Sequence, residues 1–201
     1  MHLDNYSVTI KEGVETGGGY VKIQYGKQYT VRLNNRASRR CDAHVTIDGK
    51  EIGTFRLNRY GSITLERPPD SDGRFTFYKV GSIEADKADL GRVSKSDMGL
   101  VQVIFTPEKV EEYGVVVASA GPVGSLGEPQ ERRFTYDSGI SKGAAGGTGL
   151  SGHSSQSFYN VGPLELDHSQ AVTITLRLVG DEDIRPLNSV GRTTPVPPPV
   201  D

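Results

Sequence analysis

A chain of 201 residues with 35% hydrophobic residues and 25 glycines can bury a core, but much of its length must be loops and turns. Its net charge of −2 provides no global field for nucleic acid or anionic lipid. No stretch approaches the length of apolar sequence that a transmembrane helix needs, and the single cysteine, Cys41, excludes an intrachain disulfide framework.

The chain opens on MHLDNYSVTI, which is polar and has no apolar core of signal-peptide length, so a soluble chain without signal peptide is expected. Short runs of alternating apolar and polar residues follow at 6–10, 20–25 and 28–33, as half-buried strands require. Gly26-Lys27 stands between the second and third in the place of a hairpin turn. In AHVTIDGKEIGTFRL the alternation runs up to Asp48-Gly49 and resumes beyond it, predicting a hairpin with a type I′ turn.

Further strands are predicted at 62–66, 74–78, 100–106, Tyr113–Ser119 and 170–179, where Val172, Ile174, Leu176 and Leu178 share one face. Pro68-Pro69 and the following DSDG mark a firm turn. Only 82–90 reads as helix, with Ser82 as N-cap and Gly91 beyond the end. From Gly121 the texture turns Gly-rich, broken by the short run Arg133–Tyr136, and RTTPVPPPVD closes the chain as a polyproline II arm. The expected organisation is one domain over 1–187, including a Gly-rich loop excursion at about 121–157, with an extended tail at 188–201. The expected fold class is all-β, an antiparallel β-sandwich of jelly-roll type with one short helix.

Gly147-Thr148-Gly149-Leu150-Ser151-Gly152 fits G-x-G-x-x-G, the loop that wraps a dinucleotide pyrophosphate. That chemistry needs a strand leading in and a helix whose N-terminus meets the phosphate. SGISKGAA before it is no strand, and Gly162-Pro163 interrupts any helix after it, so no cofactor is expected and the motif reads as flexible loop.

Ser154, Ser155, His153, His168 and Asp167 supply the residue types of a hydrolase, without a G-x-S-x-G elbow. Cys41, Asp42 and His44 lack a second ligand pair for zinc, Cys41 and His44 fall on opposite faces of a strand, and Cys41 itself reads as a packing residue. Asp70 and Asp72 before Gly73 lack the later acidic ligands of a calcium loop. Arg36, Arg39 and Arg40 form a basic cluster without interleaved aromatics, fitting a protein partner rather than nucleic acid. In the tail, Arg192, Pro195, Pro197, Pro198 and Pro199 are candidate partner contacts; Arg192-x-x-Pro195-x-x-Pro198 also fits a PxxP ligand.

The stretch RRCDAHVTIDGKEIGTFRL, with SITLERP and GRFTF after it, resembles small β-rich proteins of viruses and marine microbes over the first half of the chain. That resemblance carries no catalytic motif and implies a virion or surface-assembly role. The leading expectation is a non-enzymatic structural protein that associates with copies of itself or other structural proteins through sheet edges and an arm, with no nucleic acid and no membrane insertion. The alternatives are a carbohydrate-binding module using Tyr60, Tyr78 or Tyr159, and a hydrolase around His153 and Asp167.

Overall fold

The computed structural model describes residues 1–110 and 145–181. Within them the chain is mostly β, with twelve strands, one α-helix and three short 3₁₀ turns. The strands are β1 (His2–Leu3), β2 (Tyr6–Ile10), β3 (Val14–Glu15), β4 (Tyr20–Ile23), β5 (Val31–Asn35) and β6 (Cys41–Ile47). They continue with β7 (Lys50–Leu57), β8 (Ser62–Leu65), β9 (Arg74–Lys79), β10 (Leu100–Pro107), β11 (Gly146–Ser151) and β12 (Val172–Gly180). The helix α1 spans Ile83–Lys87, and the Ser82 hydroxyl caps it by accepting from the Ala85 N–H, as the sequence predicts. The strand expected at Tyr113–Ser119, the run Arg133–Tyr136 and the tail residues Arg192, Pro195, Pro197, Pro198 and Pro199 lie outside the described residues.

Two sheets share the core, one in the order β1-β2-β5-β8 and the other in the order β3-β4-β12-β10-β6-β7. Alternation decides which side chains face inward. Cys41, Ala43, Val45 and Ile47 of β6 are buried while the residues between them are not. Val101, Val103 and Phe105 of β10 and Ile174, Leu176 and Leu178 of β12 do the same, and Tyr6 of β2 stacks on Phe105 across the core at 4.7 Å. Each large apolar side chain buried this way contributes about 1.5–3 kcal/mol.

The strand pairing departs from the sequence reading in two places. β4 and β12 run parallel, with Tyr20 opposite Arg177, where the pattern suggested antiparallel pairing throughout. Gly26-Lys27 is not a hairpin turn, because β4 and β5 belong to different sheets. Instead, Gly26 N–H donates to the Phe77 carbonyl (2.7 Å) and Tyr29 N–H to that of Phe75 (2.9 Å), so this segment pairs with β9. Alternation specifies which face of a strand is buried but not which strand lies beside it. The Asp48-Gly49 hairpin forms as expected, with φ of +52° and +74° in a type I′ geometry.

The largest correction concerns GGTGLS, read as flexible loop within the excursion. It is strand β11, paired antiparallel along its whole length with β9, Gly147 opposite Tyr78 and Thr148 opposite Phe77. Its glycines answer a packing demand. A Cβ at Gly146 would overlap the buried Phe77 ring and approach the Tyr78 carbonyl to 2.8 Å; one at Gly149 would sit 2.7 Å from Ala88 Cβ and from the Tyr78 ring. The aromatic side chains of β9 and the end of α1 occupy the space that side chains on β11 would need. Gly146→Ala is therefore expected to lower unfolding stability in urea by about 2–3 kcal/mol. Gly162→Ala, at a position with nothing within 4 Å, is expected to change it by less than about 0.5 kcal/mol. Equal effects at both positions would contradict this packing account.

Candidate functional site

Asp48, at the tip of the β6–β7 hairpin, is only 4% exposed, and its carboxylate turns inward. One oxygen accepts the Gly99 N–H and the other the Thr148 N–H, while Asp48 N–H donates to the Leu100 carbonyl at 2.8 Å. Thr148 Oγ1 also lies 2.7 Å from the hydroxyl of the buried Tyr29. Burial pushes the Asp48 carboxyl up to about 6, against the opposing pull of the Thr148 and Gly99 donors. A carboxyl so perturbed suits general acid–base chemistry. Here both oxygens are engaged by backbone amides, which makes the group a clasp between hairpin and β11.

A second buried ion organises the turn between β8 and β9. Arg67 donates to the carbonyls of Pro68 (2.9 Å), Pro69 (3.3 Å) and Ser71 (2.8 Å), and through Nε to that of Gln156 (3.1 Å). Its guanidinium also lies over the Phe158 ring at 4.9 Å. The turn predicted at Pro68-Pro69 thus wraps around one guanidinium, which also holds the strap at 154–163. The Gln156 side-chain amide accepts from Glu66 N–H (2.9 Å) and donates to the Thr64 carbonyl (2.6 Å), covering the outer edge of β8. Ser154 is buried and donates to Glu66 (2.8 Å), which pairs with Arg74 at 3.2 Å. Arg67 and Gln156 were not singled out in the sequence, because their partners are backbone atoms in separate segments.

The residues predicted for chemistry are dispersed. Arg40 forms a two-point ion pair with Glu108, whose hydrogen bonds hold the Glu108 carboxyl below its usual range. Arg39 donates to the Glu108 carbonyl (3.2 Å) and to Gln170, whereas Arg36, exposed like Arg40, makes no side-chain hydrogen bond or ion pair among the described residues. His153 is exposed, and no hydrogen bond joins it to Ser154, Ser155, His168 or Asp167 among the described residues. Asp167 instead accepts from Ser169, which lowers its carboxyl below the ordinary value.

Cys41 is fully buried, burial raising its thiol to about 12, while His44 on the other face meets Thr54 at 3.2 Å and Glu51 at 3.8 Å. Asp72 lies 3.9 Å from Arg67. Among the described residues no group of three His, Cys, Asp or Glu side chains is placed to hold a metal ion. Gly147–Ser151 of the G-x-G-x-x-G motif lie on β11 and Gly152 follows it; among the described residues no α-helix comes after them, and the next regular element is the 3₁₀ turn at His168–Gln170.

Among the described residues, three open grooves each carry one of the tyrosines predicted from the sequence. The hairpin groove, about 540 Å³, has Ile52, Phe75 and Tyr78 among its walls and lies between β7, α1 and β11. The strap groove, about 730 Å³, runs between β7 and the strap and includes Phe55, Phe158 and Tyr159. The third, about 790 Å³, lies beside Arg36, Arg39 and Tyr60. Tyr60, Tyr78 and Tyr159 therefore do not form one aromatic platform.

Sheet edges are guarded among the described residues. β1 and β3 are two residues each, β8 is covered by Gln156, and β7 is interrupted by a bulge opposite Val45 and Thr46. No helix among the described residues is long and apolar enough to cross a membrane. No protein-family model, curated protein or solved structure matches this chain.

The Asp48 clasp has a pH signature. A carboxyl raised from its ordinary 3.8 to about 6 on folding binds a proton more readily in the folded state. Its contribution to stability is therefore fully present below pH 3.8 and is lost as pH rises through about 6. Comparing Asp48→Asn with wild type by urea unfolding, the stability difference is expected to move by about 2–3 kcal/mol in favour of the variant between pH 4 and pH 7. A difference independent of pH, or moving the other way, would refute this.

Proposed function

We propose that the protein is a non-enzymatic structural component that assembles with copies of itself, most concretely as a capsid, decoration or appendage protein of a virion. The fold is read as a β-sandwich of jelly-roll type; the four- and six-stranded sheets that share one core support that reading. The observation that carries the function is the hairpin groove. Its floor is apolar, and its rim sets Lys50 and Lys87 against Glu51, Asp70, Glu84 and Asp89. On the segments around it, Val80, Ile83 and Leu150 leave large apolar side chains exposed, Ile83 by 70%.

A face with both charge signs around an apolar centre can meet its own copy across a two-fold axis, ammonium to carboxylate. Because the sheet edges are guarded, side chains on this face, together with the Pro-rich arm, are the favoured means of association. Arg39 and Arg40 brace the fold through Glu108 and Gln170, and Arg36 remains a candidate partner contact.

Solution mass measured over a concentration series tests this. The wild-type chain is expected to associate, and Ile83→Asp with Leu150→Asp to shift it at least tenfold toward monomer while the melting temperature is preserved. Removal of residues 188–201 is expected to weaken association further. A wild-type chain monomeric at every concentration would overturn the proposal.

A further inference from the structure

The hairpin groove does not account for Tyr159. That side chain is 86% exposed, although the strap around it is fixed at several points. On one side the strap is held by Gln156 on β8 and by Phe158, which packs on Phe55 at 5.8 Å beneath Arg67. On the other, Arg56 donates to the Gly162 carbonyl at 3.3 Å. An aromatic ring displayed to solvent from a fixed backbone loses little entropy when a flat apolar surface stacks on it.

The same groove is also lined by the ion pair of Arg56 and Asp42, two-pronged and largely buried. The hydrogen bonds that Arg56 donates to Asp42 favour the charged form of its guanidinium. The carboxylate retains unused acceptor sites and the guanidinium unused donors, since a planar pair satisfies only part of each. Asn160, Thr54 and Gln156 add neutral polar groups to the same walls.

We infer that the strap groove is a binding site for a neutral pyranose of an oligosaccharide, with Tyr159 stacking on the sugar ring and the Asp42–Arg56 pair bonding two adjacent hydroxyls. A sugar ring has the two properties the groove answers: a C–H face that stacks on an aromatic ring, and vicinal hydroxyls that both donate and accept. Neutrality follows from the pair itself, in which the two charges cancel, leaving no net charge to select a sulfated or sialylated residue. The site is independent of the self-association face, so either proposal can fail without the other.

The full chain is tested on an array of neutral hexose and pentose oligosaccharides alongside sulfated and sialylated ones, with hits measured by calorimetry. Neutral oligosaccharides are expected to bind. Tyr159→Ala is expected to weaken binding about tenfold or more, Tyr159→Trp to retain it, and Tyr60→Ala, in a different groove, to leave it unchanged. Because Asp42→Asn also loosens a structural pair, it is read only where its melting temperature matches wild type, and there it is expected to weaken binding as Tyr159→Ala does. Binding of no neutral oligosaccharide, preference for the charged ones, or unchanged affinity in Tyr159→Ala would each overturn the inference.

Discussion

A buried carboxylate joins parts of this chain that no run of local sequence could hold together. Asp48 takes its position from a two-residue turn, and its oxygens reach donors 51 and 100 residues further along, at Gly99 and Thr148. Burying a carboxylate is costly, and donors that are already in place offset that cost. The arrangement therefore works only if hairpin, Gly99 and β11 are all in their native positions. Tyr29 extends the same network through Thr148 to the segment that pairs with β9. The six-stranded sheet and the β9–β11 pair are thereby joined around one buried carboxyl group.

The strap repeats this logic with the opposite charge. Arg67 spends its donors on backbone carbonyls from two segments, and Gln156 imitates a neighbouring strand against β8. Both keep backbone polar groups satisfied where the chain has no regular partner. The same contacts make a stiff wall opposite β7, and both candidate ligand surfaces flank that strand. One opens toward α1 and β11 and the other toward the strap.

Much of the strand content was legible because alternation in β2, β6, β10 and β12 records burial on one face directly. The hairpin at Asp48-Gly49 and the cap at Ser82 were legible for a similar reason, since local conformation alone demands those residues. The parallel partner of β4 was not, because its identity depends on a strand more than 150 residues later. β11 failed differently. Its glycines suggest looseness when read alone, and only the Phe77 and Tyr78 rings and Ala88 explain them. At the surface, the exposed Tyr159 was visible as a residue type, but its place in one groove with Asp42 and Arg56 exists only once the strap is folded. Arg39 and Arg40 looked available in sequence, and Glu108 and Gln170 engage them.

The parallel pairing of β4 with β12 also sets an order of events. β12 lies between β4 and β10, so the six-stranded sheet stays in two pieces until Val172–Gly180 arrives. On a ribosome, β4 and β10 emerge long before the strand that joins them, and their apolar faces must wait uncovered while the intervening chain is made. Such a chain completes its six-stranded sheet only once β12 has been made, and closing loops of that span is slow. The unfinished protein, with Val21, Ile23, Val101 and Val103 unprotected, is the form most exposed to aggregation and to chaperones.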